Sequence, residues 1–167
     1  MSAMTGKLSH ELIEEYFSTH LPYRTRIMLA HYRMCISGKP FIRADWEAMF
    51  EASLITGRMY LNVIGIKRNG ERLVPCKPGM REVGIKDLGG MPVDIRNIGP
   101  DDTVLFLGFL RMADEGAAHL TVPRDHPVKD THQAITRIAE YVKKYVYDAT
   151  GRRCVDIEAH LDSFRKP

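Results

Sequence analysis

The densest run of side chains able to do chemistry lies between Arg111 and His132, in RMADEGAAHLTVPRDHPVKDTH. It holds Arg111, Asp114, Glu115, His119, Arg124, Asp125, His126, Asp130 and His132. On a helix continuing through Gly116, the residues Arg111, Glu115 and His119 fall at i, i+4 and i+8 and line one face. Glu115 then reaches both neighbours. A carboxylate beside an imidazole holds its tautomer and raises its basicity, as a general base requires. His119, Arg111 and Glu115 are therefore the catalytic candidates. The plain alternative is an exposed helical ion-pair run, which contributes little. The same run offers metal ligands: His119, His126 and His132, with Asp125 or Asp130, could hold zinc or a similar ion. Six and five residues separate the histidines, which matches no standard spacing. No metal and no cofactor are therefore expected, and a metal-dependent enzyme built on these clustered histidines ranks last among the readings.

Other chemistries find no support. There is no G-x-S-x-G, no G-x-x-x-x-G-K-[ST] and no G-x-G-x-x-G, so neither a nucleophile elbow nor a phosphate loop is in view. The three cysteines, Cys35, Cys76 and Cys154, form no C-x-x-C pair. Odd, scattered cysteines suit a reducing compartment and read as small buried hydrophobes. Glu51 and Arg58 lie seven apart on one helix face, as an internal polar pair or a peripheral ion pair. Trp46 and the methionines at 28, 34, 49 and 59 read as core.

The elements that must position these groups are mainly helical. Residues 9–20 form a short helix with Ser9 as N-cap, which Pro22 breaks or restarts. Residues 23–37 carry a wide apolar stripe, and Gly38 suits the left-handed position that ends a helix. From Asp45, the residues Trp46, Phe50, Ser53, Gly57, Tyr60 and Ile64 step by three and four, a helix seam running through Gly57. A rival reading starts a strand at Met59 and turns at Asn69-Gly70 between IGIKR and ERLV. Residues 67–100 are rich in glycine and proline and read as an insertion. There EVGIKDLGGMPVDI is either two short strands around Gly89-Gly90 or an ordered loop. A fourth helix begins at Asp101 or Asp102. The last clear helix has Asp130 and Gln133 as a capping box, a seam of Ile135, Ile138, Val142, Tyr145 and Ala149, and Gly151 as its stop. The tail, residues 154–167, is open.

Composition sets the outer bounds. The chain has 167 residues, 44% hydrophobic and 27% charged, with a net charge of +3 when histidines are neutral. That is enough apolar material for one packed domain of 1–167. The longest stretches free of Asp, Glu, Lys and Arg run eight residues, whereas a membrane span needs about 20 apolar residues. No signal peptide is expected at the N-terminus, which points to a cytoplasmic protein. Residues 20–96 hold 13 basic and seven acidic side chains. That surplus is either a solvated face or a surface for an anionic partner.

The segment AAHLTVPRDH, followed by a final amphipathic helix, resembles the HEPN superfamily of small helical bundles. The stretch EASLITGRMYLNVIGI, residues 51–66, is similar to the long second or third helix of such bundles. In that family an arginine, a usually polar residue and then four to six residues lead to a histidine. Here Arg111 and His119 take those places, with seven residues between them and Met112 at the usual polar position. The resemblance implies a metal-independent ribonuclease or an inactive accessory module, and pairing as a homodimer. Cleaving RNA through its own 2′-hydroxyl needs a base at that group and a cation at the phosphate. Arg24, Arg26, Arg33 and Arg124 would then hold the RNA backbone.

The sequence therefore predicts a mainly α, single-domain bundle of about five helices, with a Gly/Pro-rich insertion able to hold a small β-hairpin. Its first functional reading is HEPN-like action on RNA through a His/Arg pair. The alternative is a non-catalytic homodimeric interaction module.

Overall fold

The computed structural model describes residues 8–79, 82–119 and 128–165. Among them five helical runs surround one apolar core, with a single small hairpin beside it. The first run joins α1 (His10–Glu15), a π turn (Tyr16–His20) and α2 (Leu21–Ile36). Ser9 caps it, its Oγ accepting from the Leu12 N–H at 3.3 Å. The chain does not break at Pro22, which sits in the first turn of α2. Proline has no N–H to give the preceding turn, and the wide turn removes the problem: the Leu21 N–H reaches back to the Tyr16 carbonyl. Gly38 takes φ +65° just past the run, as its position predicts.

Helix α3 (Arg43–Val63) carries its seam straight through Gly57, with Phe50, Ser53, Gly57 and Tyr60 buried and Ile64 just beyond it. Gly57 is required by close approach. A Cβ there would lie 2.5 Å from Phe109 Cζ of α4 (Pro100–His119), a ring that is itself buried. Gly57→Ala gains helix propensity but forces this overlap on a packed ring. A net loss of about 1–3 kcal/mol is expected, read as a lower denaturant midpoint at unchanged slope. A midpoint at or above the parent's would mean that the two helices can separate freely.

The helix and the hairpin, rivals in sequence, follow one another. Gly65, at φ +93°, turns the chain out of α3 into β1 (Ile66–Asn69), which pairs antiparallel with β2 (Arg72–Pro75). Asn69 stands opposite Arg72, so the loop is Gly70-Glu71 and not Asn69-Gly70. Gly70 supplies the positive φ of +59°. The stretch after β2 makes no strand pair around Gly89-Gly90; it is an ordered loop. It closes the C-terminal end of α3. The N–H groups of Cys76, Ile85 and Val93 donate to the carbonyls of Gly65, Val63 and Ile64 at 2.8, 2.9 and 2.8 Å. These are acceptors that a helix end leaves unpaired. Ile85, Leu88, Val93 and Ile98 of the loop are buried.

Helix α4 starts at Pro100, with Asp101 and Asp102 in its first turn. Its apolar run turns Phe106, Phe109 and Leu110 inward and leaves Val104 at the surface. Helix α5 (Val128–Val142) begins two residues before Asp130, so Asp130 lies within its first turn instead of capping it. The carboxylate still faces the positive helix end. Ile135, Ile138 and Val142 are buried as the seam predicts, but the seam then slips. Val146, which the sequence places beside the seam, stays buried, but a π turn (Lys143–Tyr147) inserts extra backbone, so Tyr147 faces inward while Ala149 faces out.

The tail is a helix, α6 (Val155–Arg165). Cys154, Ile157, His160 and Leu161 bury one face of it. Arg26 and Arg33 of α2 both reach Asp156, at 3.7 and 3.0 Å. Among the described residues no helix is long and apolar enough to cross a membrane.

Candidate metal centre

Where α2, α3 and α5 meet, three donor side chains converge. His31 and Cys35 stand at i, i+4 on one face of α2, and His132 comes across from the first turns of α5. His31 Nδ1 lies 2.9 Å from His132 Nε2. His31 Nε2 lies 3.7 Å from Cys35 Sγ. One ligand atom from each of the three falls within 4.8 Å of the others. His31 is fully buried, while Cys35 and His132 are half-buried.

The surroundings fix the His31 ring. Trp46 and Phe50 of α3 stack on each other at 5.4 Å, and each meets the imidazole nearly edge-on, at 4.7 and 4.9 Å between centroids. Burial, and then the neighbouring His132, hold the His31 pKa down at about 4. Burial also lowers that of His132. Both rings are therefore neutral at pH 7, which is the state a metal ligand needs.

A third imidazole sits behind them. Tyr32 of α2 packs edge-on against His132 at 5.2 Å and against His160 of α6 at 4.7 Å. Thr136 Oγ donates to the His132 carbonyl at 2.9 Å. Its single proton being so used, the His160 Nε2, 2.9 Å away, must be the donor to that oxygen. His160 Nδ1 is then a bare lone pair, buried and without a hydrogen-bond partner among the described residues. Burial, with Arg33 and His132 nearby, keeps the His160 pKa down at about 4.

Among the described residues, the groups singled out in the sequence find other partners. Arg111 does not pair with Glu115; it crosses to Glu71 at the hairpin tip, at 2.5 Å. Glu71 lies forty residues away in sequence, and no helical spacing could point to it. Glu115 is exposed. His119 ends α4, and its side chain falls outside the described residues, as do Arg124, Asp125 and His126. Of the three histidines grouped for metal, only His132 is placed, and its partners are His31 and Cys35. Arg26 and Arg33 share Asp156, and Arg24 opens onto a separate cleft. Arg58 pairs with Asp114 of α4, not with Glu51, and Arg68 of β1 reaches the other oxygen of the same carboxylate.

His31 and Cys35 escaped the sequence reading because both sit in an apolar helical stripe. The signal available was the H-x-x-x-C spacing of HYRMC on a helix. Compared with known protein families, with curated proteins and with solved structures, the chain matches none.

Proposed function

We propose that this chain is a small helical-bundle metal-binding protein whose centre is His31, Cys35 and His132. The observation that carries this reading is the convergence of two imidazoles and one thiol, from positions 101 residues apart, within 4.8 Å. Two nitrogens and a sulfur form a borderline-soft set, which favours an ion of the zinc type over magnesium or calcium. Around an ion with bonds of about 2.0–2.3 Å, tetrahedral ligand atoms stand roughly 3.3–3.8 Å apart, so the His31–Cys35 separation already fits. His31 turns one ring nitrogen to each partner, so a single ion takes one of them and the other partner swings in. Three protein ligands leave a fourth position open for water or another small ligand.

The same reading explains why the rings are kept neutral and why aromatic side chains wall them. The RNA-acting alternative through Arg111 and His119 draws less support, because Arg111 is committed to Glu71. The test is metal content after dialysis of chelator-stripped protein against micromolar zinc. We expect one zinc per chain in the parent and background levels in Cys35→Ser/His132→Ala. Parent protein that retains none, or a double variant that retains as much, would overturn the proposal.

A further inference from the structure

A second cleft lies away from the three donor side chains, and nothing in the metal reading uses it. It measures about 430 Å³ and is bounded by the π turn and start of α2, by one face of α3 and by the loop after β2. That volume falls in the range of small-ligand sites. One wall is apolar, made by Leu21, Ile55, Met59, Val63, Val83 and Leu88. Ile55 is 47% exposed there, on a helix whose neighbouring Leu54 and Tyr60 are buried. Ile55 does not stand alone there, since Met59 and Val63 of the same helix line the cleft beside it.

The lining is also cationic. Arg24 and Arg58 both line it. Arg24 has no carboxylate partner among the described residues; its guanidinium lies 5.7 Å from the Tyr23 ring. Arg58 donates to Asp114 at 3.0 Å, but that carboxylate is shared with Arg68, so the three-member network still carries one net positive charge. His20, also in the lining, is matched by Glu15 at 3.2 Å. Glu82 is the acidic member of the lining, and one of its oxygens accepts from the Gly79 N–H at 2.8 Å. A cleft lined by apolar side chains and by two guanidiniums is complementary to a molecule with one anionic end and a compact hydrocarbon body. Two forked cations suit a planar carboxylate in particular.

We propose that this cleft binds a small amphipathic monocarboxylate, its hydrocarbon against Ile55, Met59 and Leu88 and its carboxylate between Arg24 and Arg58. The site is independent of the metal centre. The test is calorimetric titration of metal-free protein with decanoate, with decan-1-ol as the uncharged counterpart. Saturable one-to-one binding of decanoate is expected. Decan-1-ol should bind at least tenfold more weakly, since it cannot make a charge-assisted hydrogen bond to either guanidinium. Arg24→Gln should weaken decanoate by about tenfold, and Ile55→Asp should abolish saturable binding. Both positions are exposed, so both variants should fold, which their melting curves would verify. Equal affinity for the alcohol and the acid, or decanoate affinity unmoved by both substitutions, would overturn the assignment.

Discussion

Acidification from pH 7 to pH 4 is expected to strip several kcal/mol of stability from the protein through its buried histidines. The fold holds His31 and His160 at about 4, against an ordinary value of 6.5. The groups facing His160 are Arg33 from α2 and His132 from α5, and both oppose a new positive charge. A histidine that stays neutral when folded is protonated more readily in the unfolded chain. Unfolded molecules therefore take up protons first as the pH falls. Stability is complete above about pH 6.5, declines through the interval to 4, and is lowest below it. Each histidine accounts for roughly 3 kcal/mol across that interval, a large share of the 5–15 kcal/mol typical of a domain. Carboxylates titrate mostly below this range, so the decline between pH 6.5 and 5 is diagnostic. Urea midpoints measured in half-unit steps should fall steadily from pH 6.5 downward. A midpoint flat between pH 7 and 5 would mean that these rings charge without cost in the folded state.

The second large effect separates the ligands from one another. His132→Ala removes the partner of a fully buried imidazole nitrogen and leaves a cavity beside Tyr32. A destabilisation of about 2–3 kcal/mol is expected in metal-free protein, together with loss of zinc binding. Cys35→Ser should behave differently. The thiol touches His31 only at 3.7 Å and is half-buried, so metal-free stability should change by less than about 1 kcal/mol. Zinc affinity should nevertheless fall by about 100-fold or more, because a hydroxyl does not ionise as a thiol does. A purely structural trio would show the reverse pattern, with both variants losing stability in proportion to burial and neither responding to metal. In the parent, zinc at 100 times its dissociation constant should add about 2.7 kcal/mol of stability, and Cys35→Ser should lose most of that gain.

The bundle was largely legible in the sequence because its helices have regular seams. Trp46 through Ile64 reads as one α-helical face, and Ile135, Ile138 and Val142 read likewise. What escaped has physical causes. The π turns at Tyr16–His20 and Lys143–Tyr147 have no compositional mark, so nothing in the sequence shows the phase slip that buries Tyr147 and exposes Ala149. Helix α6 buries too short a stripe, Cys154, Ile157 and Leu161, to stand out from a polar tail. The hairpin turns one residue later than the Asn69-Gly70 pair suggests, because Gly70, and not Asn69, takes the first position of the loop. The candidate site was the least legible part. His132 stood out, but spacing offered only its sequence neighbours as partners. Its actual partner lies 101 residues away on a helix whose histidine and cysteine look like core. Convergence of that kind is a property of helix packing, and no local pattern encodes it.

An ion at the proposed centre would have a mechanical role as well. His31 and Cys35 belong to α2 and His132 to α5, so an ion held by all three ties the first helical run to the fourth. The segment between α4 and α5 contains the remaining histidine candidate, His126, outside the described residues. Ion binding would therefore be felt as added rigidity between helices that otherwise meet through ring packing such as Tyr32 on His132.

Cobalt substitution tests the central claim most directly. Chelator-stripped protein titrated with Co²⁺ should develop visible d–d bands of tetrahedral intensity and a strong near-ultraviolet cysteinate-to-cobalt charge-transfer band, saturating at one equivalent. Cys35→Ser should lose the charge-transfer band, and one equivalent of zinc should bleach the parent spectrum. A titration that gives only the weak spectrum of hexaaqua cobalt, or a charge-transfer band that survives in Cys35→Ser, would contradict the assignment of His31, Cys35 and His132 as the metal centre.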